Sequence, residues 1–137
     1  MIPTISVAIA TYNGAKYIDE QLQSIAAQTS PPDCICICDD RSTDTTLECV
    51  ERFKQRATIP VLIQSNARQL GVIENFLSAF RRCETDYIAY CDQDDVWRPD
   101  VCGGTVERWS KAALLRTAAA HRRQFAALRL FAARESL

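Results

Sequence analysis

The chain has 137 residues, 47% hydrophobic and 24% charged, so it is long enough for one domain with a buried core and short for two. No run approaches the roughly 20 apolar residues that a membrane-spanning helix needs. The first residues also lack the basic region and cleavage site of a secretory signal. We therefore expect a soluble protein of the cytoplasm.

Charge is uneven along the chain, although its net value is only −1. Residues 1–97 hold 8 basic against 14 acidic residues, whereas residues 98–137 hold 8 against 3. We therefore predict a domain over residues 1–99 and an Ala/Arg-rich tail over residues 100–137 that is helical and adds no strand. The tail has apolar positions at helical spacing, namely Leu114, Leu115, Ala118, Phe125, Leu128 and Phe131. Its arginines lack interleaved aromatic residues, so we expect no nucleic-acid partner and leave peripheral membrane association open.

The N-terminal elements alternate between strand and helix. Residues 5–10 predict a strand, which ends at the turn-forming sequence Thr11-Tyr12-Asn13-Gly14. Apolar residues at helical spacing predict a helix from residue 15 to the Pro31-Pro32 pair. The apolar run over residues 34–38 predicts a second strand, buried on both faces and followed by Asp39 and Asp40.

The chain contains seven cysteines, an odd number. Cys34, Cys36 and Cys38 alternate with isoleucines, and the period of a strand places all three on one face of the sheet. Such an arrangement does not converge on a zinc ion. We interpret the cysteines as small buried hydrophobic residues in a reducing compartment.

The same alternation continues through residue 91. Ser42-Thr43-Asp44 offers an N-cap for a second helix, whose apolar stripe is Leu47, Val50 and Phe53. A third strand over residues 60–63, a loop over 66–71, a third helix over 72–80 and a fourth strand over 87–91 follow. This order predicts an open, mostly parallel α/β sheet, and no fifth strand is evident.

Polar residues follow every predicted strand. They are Thr11, Tyr12 and Asn13 after the first, Asp39 and Asp40 after the second, Asn66 and Arg68 after the third, and Asp92 to Asp95 after the fourth. The carboxyl ends of parallel strands meet at one edge of the sheet, where ligands bind. We therefore expect these residues to form one site.

Three of the four residues Asp92-Gln93-Asp94-Asp95 are acidic, and their charges repel one another within a single turn. A divalent cation such as Mg²⁺ or Mn²⁺ would neutralise them and keep positions open for phosphate oxygens. The sequence thus predicts a metal and nucleotide-diphosphate site with Asp92, Asp94 and Asp95 as metal ligands. The carboxylates of Asp39 and Asp40 suit hydrogen bonds from a nucleobase or ribose.

Four segments together resemble the family 2 glycosyltransferases, in particular the bacterial rhamnosyltransferase-like branch. They span residues 8–14, 39–45, 66–76 and 86–97 and occur in the order and spacing of that family. The resemblance implies a Rossmann-like GT-A fold, a nucleotide-diphosphate sugar donor, a divalent metal (Mg²⁺ or Mn²⁺) at an Asp-x-Asp motif, and inversion at the anomeric carbon. The implied acceptor is a glycan or lipid-linked glycan in cell-surface polysaccharide synthesis, reached from the cytoplasm or the inner face of the membrane.

The resemblance also implies residue roles. Thr11 and Tyr12 would line the base pocket with Asn13 beside them, and Asp39 or Asp40 would contact the base or ribose. Arg68 would approach the diphosphate. Asp92 and Asp94 would form the Asp-x-Asp pair, with Asp94 as the direct metal ligand and Asp95 next to it. Gln93, between the pair, would contact the nucleotide-sugar donor. Arg41 stands where the family often has glycine.

The family's general base lies well downstream of the Asp-x-Asp motif, and residues 100–137 do not resemble that continuation. The tail's acids, Asp100, Glu107 and Glu135, have no recognisable catalytic context, and His121 is given no role. We therefore expect a truncated, donor-binding part without a general base, inactive by itself. The alternatives are a Mg²⁺-binding receiver-like signalling domain, a nucleotidyltransferase, and a non-catalytic nucleotide-binding remnant.

Overall fold

In a computed structural model the described residues are 4–100, 102 and 114–116. Strands and helices alternate through most of this part of the chain. They are β1 (Ile5–Thr11), α1 (Ile18–Ala26), β2 (Cys34–Asp39), α2 (Thr46–Arg56), β3 (Val61–Ser65), α3 (Val72–Phe80), β4 (Tyr87–Asp92) and β5 (Leu114–Arg116). The four strands and three helices predicted up to residue 92 are confirmed.

The strands form one sheet in the order β3-β2-β1-β4-β5. β1 pairs in parallel with β2 on one side and with β4 on the other, and β3 pairs in parallel with β2. β2 and β3 therefore lie successively on one side of β1, and β4 lies on the other side of β1. This reversal of strand order opens a crevice beyond the carboxyl ends of β1 and β4.

The prediction that the tail adds no strand is wrong. Leu114–Arg116, expected to be helical, forms β5 and runs antiparallel to β4, with Ile88 opposite Leu115. β4 would otherwise present the unpaired backbone groups of an open sheet edge, and pairing with them overrides the local helix propensity. The rest of the expected helix, residues 118–131, lies outside the described residues.

The sheet has helices on both faces. Ile5, Val7 and Ile9 face the core shared with α1 and α2, whereas Ala8 faces the core shared with α3. The first core is the larger, and it also includes Cys102, which is 2% exposed. The division between residues 99 and 100 remains a prediction.

The cysteines of β2 lie as the strand period predicts. Cys36 and Cys38 are fully buried and belong to the α3 side of the sheet, and the half-buried Cys34 packs against that side. All seven cysteines are free thiols. Burial raises the pKa of Cys38 to about 11, which keeps its thiol protonated and unreactive at neutral pH.

Within the described part of the chain, no helix has both the length and the apolar character needed to cross a membrane.

Candidate functional site

The structure brings the predicted site residues to one edge of the sheet. Thr11, Asp39 and Asp92 are the last residues of β1, β2 and β4, and Asn66 directly follows β3. The crevice between β1 and β4 therefore has the loop after β1 on one side and the acidic turn, residues 92–95, on the other.

Asp39 is fully buried and joins the ends of two strands. Its Oδ1 accepts hydrogen bonds from the hydroxyls of Thr11, at 2.7 Å, and Ser42, at 2.5 Å. Its Oδ2 accepts the backbone N–H of Ser42 at 2.9 Å. Thr11 and Asp39 thus bond to each other inside the protein, while the neighbouring Tyr12 is 41% exposed. Unlike Thr11 and Asp39, Tyr12 therefore has a side-chain surface that a ligand can contact.

Asp40 is 2% exposed and holds the loop after β3. Its carboxylate accepts the backbone N–H of Leu70 at 2.7 Å, that of Gly71 at 2.8 Å, and the Asn66 side-chain amide at 3.0 Å. Burial by itself would raise the pKa of Asp40, but the hydrogen bonds from Leu70, Asn66 and Gly71 lower it below its usual value. Asp40 is therefore a charged anchor within the fold.

The anchor continues through two asparagines into α3 and β1. The Asn66 amide also donates to Oδ1 of Asn75 at 2.8 Å, and the Asn75 amide donates to the backbone carbonyl of Thr11 at 3.1 Å. Both asparagines are buried. Asn75 had no predicted role of its own, because its contact partner is distant in sequence. Arg68 lies exposed in the loop that Asp40 holds.

The loop after β1 docks onto the loop after β2. The Asn13 N–H donates to the Ser42 hydroxyl at 2.9 Å, and Oδ1 of Asn13 accepts the N–H of Thr43 at 2.8 Å. Asn13 and Arg41 have φ angles of 47° and 65°, in the left-handed region. The conformation at Arg41 explains why glycine suits this position in the family that the sequence resembles.

The predicted N-cap of α2 requires correction. α2 begins at Thr46 with Thr45 in the N-cap position, and Thr45 makes no side-chain capping bond. Asp44 instead accepts the Thr46 N–H at 3.0 Å, the Thr46 hydroxyl, and the Ala15 N–H at 3.2 Å. A short Asx-type turn therefore replaces a standard cap, because the Asp44 side chain reaches two residues along the chain. Burial acts to raise the pKa of Asp44, but these hydrogen bonds lower it.

Gln93 connects the two sides of the crevice. Its side-chain Oε1 accepts the N–H of Tyr12 at 2.9 Å, and its Nε2 donates to the carbonyl of Tyr12 at 3.0 Å. The side chain passes over Gly14, where an added Cβ would lie 2.2 Å from Oε1 of Gln93. Gln93, expected to contact the donor, thus makes two bonds to the backbone of a predicted base-pocket residue.

The acidic turn is tightly folded. The Asp92 carboxylate accepts the N–H of Gln93 at 3.0 Å, and the Asp95 N–H donates to the Asp92 carbonyl at 3.2 Å. Asp92 and Asp95 are half-buried, whereas Asp94 is exposed. The pKa of Asp92 is raised by burial and then by the charge of Asp94, and that of Asp95 by burial and then by both other carboxylates. The turn therefore carries negative charge that its surroundings disfavour.

The charges of the acidic turn have no basic partner among residues 4–100. The ion pairs in that range join Arg52 to Asp19 and Arg98 to Asp100. Among the described residues, no group of three His, Cys, Asp or Glu side chains is arranged to hold a metal ion, and this includes the three aspartates of the acidic turn. The oxygen donors nevertheless fit Mg²⁺ or Mn²⁺, which proteins commonly hold through one or two carboxylates while phosphates and water complete the shell.

The model of the family described as "Glycosyl transferase family 2" matches residues 6–125. Among curated relatives, a dTDP-rhamnosyl transferase of Shigella flexneri is 38% identical over 96 residues, which cover 67% of this chain and 33% of that protein. The matched part of the chain spans a third or less of the length of these curated relatives.

Solved structures show the same architecture. Staphylococcus aureus TarS 1–349 in complex with UDP-GlcNAc has a TM-score of 0.65 and 29% identity, and the match covers 71% of this chain and 28% of the TarS 1–349 chain. A mannosyltransferase of Pyrobaculum calidifontis in complex with GDP-Man and Mn²⁺ has a TM-score of 0.68 and 26% identity, with coverage of 74% and 30%. The Rossmann-like GT-A fold with a mostly parallel sheet, expected from the resemblance, is confirmed.

Proposed function

Because this chain belongs to glycosyl transferase family 2, we propose that it supplies the donor-binding part of an enzyme that transfers sugar from a nucleotide-diphosphate sugar. The acceptor is a glycan or lipid-linked glycan in cell-surface polysaccharide synthesis. The observation that carries this proposal is the acidic turn at the end of β4, whose charges have no basic partner among residues 4–100. The similar mannosyltransferase was solved with GDP-Man and Mn²⁺, a donor and a metal of the kinds that this turn suits.

The nucleoside lies over the loop after β1. Tyr12 offers its exposed ring to the base, and Thr11 and Asn13 shape the loop beneath. Asp39 is fully buried and supports the nucleoside site from beneath, by holding the end of β1 at Thr11 and the loop after β2 at Ser42. Asp40 acts indirectly, by holding the loop from which Arg68 approaches the diphosphate.

The acidic turn would hold the metal. Exposed Asp94 would ligate it directly, and Asp92 and Asp95 would supply further oxygens or negative charge from the half-buried side of the turn. A bound Mg²⁺ or Mn²⁺ supplies charge stabilisation for the leaving diphosphate. Gln93 keeps the metal-binding and nucleoside-binding sides of the crevice at a fixed separation through its two bonds to Tyr12.

Transfer occurs with inversion at the anomeric carbon, through direct attack of the acceptor hydroxyl. This step needs a base for the hydroxyl proton, and we assign that role to no residue of this chain. The function of residues 1–99 in this proposal is to bind the nucleotide-sugar donor. We place the enzyme in the cytoplasm or at the inner face of the membrane, where the donors would be made.

Family membership sets aside the receiver-domain and nucleotidyltransferase alternatives. A receiver domain has the strand order 2-1-3-4-5, whereas this sheet has the order 3-2-1-4-5 with an antiparallel fifth strand. A non-catalytic nucleotide-binding remnant would have the same donor site but would not transfer the sugar to an acceptor.

Calorimetric titration of UDP, dTDP and GDP, each with and without MnCl₂, tests the proposal. We expect at least one of them to bind with an affinity that Mn²⁺ increases about tenfold or more, and Asp94→Ala to remove that increase. Glu84→Ala is the matched control, because it removes an exposed carboxylate that lies before β4, away from the edge of the sheet where the site residues gather. The proposal fails if none of the diphosphates binds, or if binding by Asp94→Ala keeps the full response to Mn²⁺.

A further inference from the structure

One face of α1 carries polar side chains that point toward the segment after β4. Gln21, Ser24 and Gln28 are three and four residues apart, so they lie on the same side of the helix and its last turn. Gln21 is fully buried and Gln28 is 4% exposed. Residues 93–100, which they face, contain no helix or strand. The segment therefore depends on side chains to satisfy its backbone groups.

Each of these side chains bonds to the backbone of that segment. Gln21 Nε2 donates to the Asp92 carbonyl, Ser24 Oγ accepts the Trp97 N–H at 3.0 Å, Gln28 Nε2 donates to the Arg98 carbonyl at 2.6 Å, and Gln28 Oε1 accepts the Cys102 N–H at 2.9 Å. The helix and the residues that follow it thus contact this part of the chain at Asp92, Trp97, Arg98 and Cys102.

Gln21 is an unusual residue for its place in the core. Its neighbours on the helix, Ile18, Leu22 and Ile25, are fully buried apolar residues. Its Oε1 is buried and has no hydrogen-bond partner among the described residues. An unbranched apolar side chain of the same length would fill this position without burying an unpaired oxygen. What the amide adds are the contacts of its Nε2 with the Asp92 carbonyl and with the sulfur of Cys91, the last two residues of β4.

We propose that Gln21 is a positioning residue for the acidic turn, an inference that rests on the donor-binding function proposed above. Its bond fixes the carbonyl of Asp92, and the same carbonyl accepts the Asp95 N–H that closes the turn. The direction of this peptide group decides where the carboxylates of Asp92 and Asp94 project. Mg²⁺ and Mn²⁺ sites are sensitive to such outer contacts, since Mg²⁺ demands near-ideal octahedral geometry.

Gln21→Met tests this role, because methionine keeps the length of the side chain and removes the amide. Gln23→Met makes the same change on the same helix at an exposed position and is the matched control. UDP and dTDP are titrated into each protein with and without MnCl₂. We expect Gln21→Met to reduce the Mn²⁺ enhancement of binding about tenfold, while the affinity without metal changes less than about twofold. Gln23→Met behaves as the unsubstituted protein.

A purely structural role for Gln21 would weaken binding equally with and without Mn²⁺, and that result would overturn the inference. So would a Gln21→Met protein that keeps the full enhancement. Failure of the proposed function looks different, because the unsubstituted protein would then show no Mn²⁺-dependent binding at all.

Amide hydrogen exchange of the ligand-free protein gives a second readout that needs no nucleotide. We expect Gln21→Met to speed exchange at the Asp95 amide, whose acceptor is the carbonyl that Gln21 holds, relative to Gln23→Met. Unchanged exchange there would contradict the inference. If Gln21→Met does not fold, Ser24→Ala removes the next contact along the same face and is expected to cause a smaller loss of Mn²⁺ enhancement, roughly twofold to fivefold. An unchanged enhancement in Ser24→Ala would then overturn the inference.

Discussion

The carboxylates at the end of β2 and those after β4 are both acidic clusters at the same edge of the sheet, yet their charges are treated in opposite ways. Asp40 receives three hydrogen bonds from the protein, and its pKa is lowered. Asp92 and Asp95 have raised pKa values and no basic partner among residues 4–100. The first cluster stabilises the fold, and we propose that a ligand neutralises the second. Sequence alone shows two similar groups of aspartates.

The largest effect should follow loss of the internal anchor. Asp40→Ala leaves the N–H groups of Leu70 and Gly71 and the Asn66 amide without their acceptor, so we expect a loss of about 3 kcal/mol or more in the free energy of unfolding. Urea denaturation measures this loss. Asp94→Ala, an exposed acid of the other cluster, should change stability by roughly 0.5 kcal/mol or less. Equal losses in the two variants would remove the distinction between the clusters.

The same anchor gives a pH dependence of known sign. The folded-state pKa values of Asp40 and Asp44 are below 3.8, the ordinary value of an aspartate. Their contribution to stability is therefore present above pH 3.8 and is lost as the pH falls through the lower folded-state values. Asp40→Asn has no carboxylate to protonate at this position. Its stability should therefore fall less between neutral and acidic pH than the stability of the unsubstituted protein. Thermal unfolding of both proteins between pH 7 and pH 3 measures the difference, and parallel pH profiles would contradict this prediction.

The connection between the two sides of the crevice gives the next effect. Gly14→Ala places a methyl group against the Gln93 side chain, and we expect a loss of about 1–3 kcal/mol in stability from this overlap. In the double variant with Gln93→Ala the overlap is absent. Its loss of stability should therefore be smaller than the sum of the losses in the two single variants. Additive losses in a double-mutant cycle would show that Gln93 does not pass over Gly14.

A smaller effect is expected at the turn that follows Asp40. Arg41 has a φ of 65°, a conformation that an L side chain disfavours, so Arg41→Gly should stabilise the protein by about 0.5–1 kcal/mol. Chemical denaturation compares it with Arg56→Gly at the end of α2, where helical backbone makes glycine destabilising. A loss of stability in Arg41→Gly would indicate a different turn.

The smallest effect concerns the repulsion within the acidic turn. In the absence of metal, Asp95→Asn should raise stability at pH 7 by about 0.5 kcal/mol or less, because solvent screens these partly exposed charges. A raised folded-state pKa means that the charged form opposes folding, so this gain should shrink as the pH falls toward that pKa and protonates Asp95 in the unsubstituted protein. Differential scanning calorimetry at several pH values measures the gain. A gain that grows at acidic pH would contradict the prediction.

Much of the fold could be predicted from the sequence because its signals are local. The apolar run of β2, the helical spacing within α1, and the polar residues that end each strand all lie within a few positions of one another. The gathering of the site at one edge follows from the parallel order of the strands.

The remainder depends on contacts between distant residues. β5 forms because Leu114–Arg116 meets the free edge of β4, which no local pattern indicates. The different states of Asp40 and Asp92 depend on a loop 30 residues away from Asp40 in sequence. The contact of Gln21 with Asp92 spans 71 residues, so the sequence signal for it is limited to a polar residue between the apolar Ile18, Leu22 and Ile25 of α1.

Anomalous X-ray scattering from crystals grown with UDP or dTDP and Mn²⁺ would test the contrast between the two clusters most directly. We predict a manganese peak about 2.0–2.3 Å from a carboxylate oxygen of the acidic turn, with Asp94 as a ligand, and no peak at Asp39 or Asp40. A manganese ion bound by Asp39 or Asp40, with the acidic turn empty, would contradict the account.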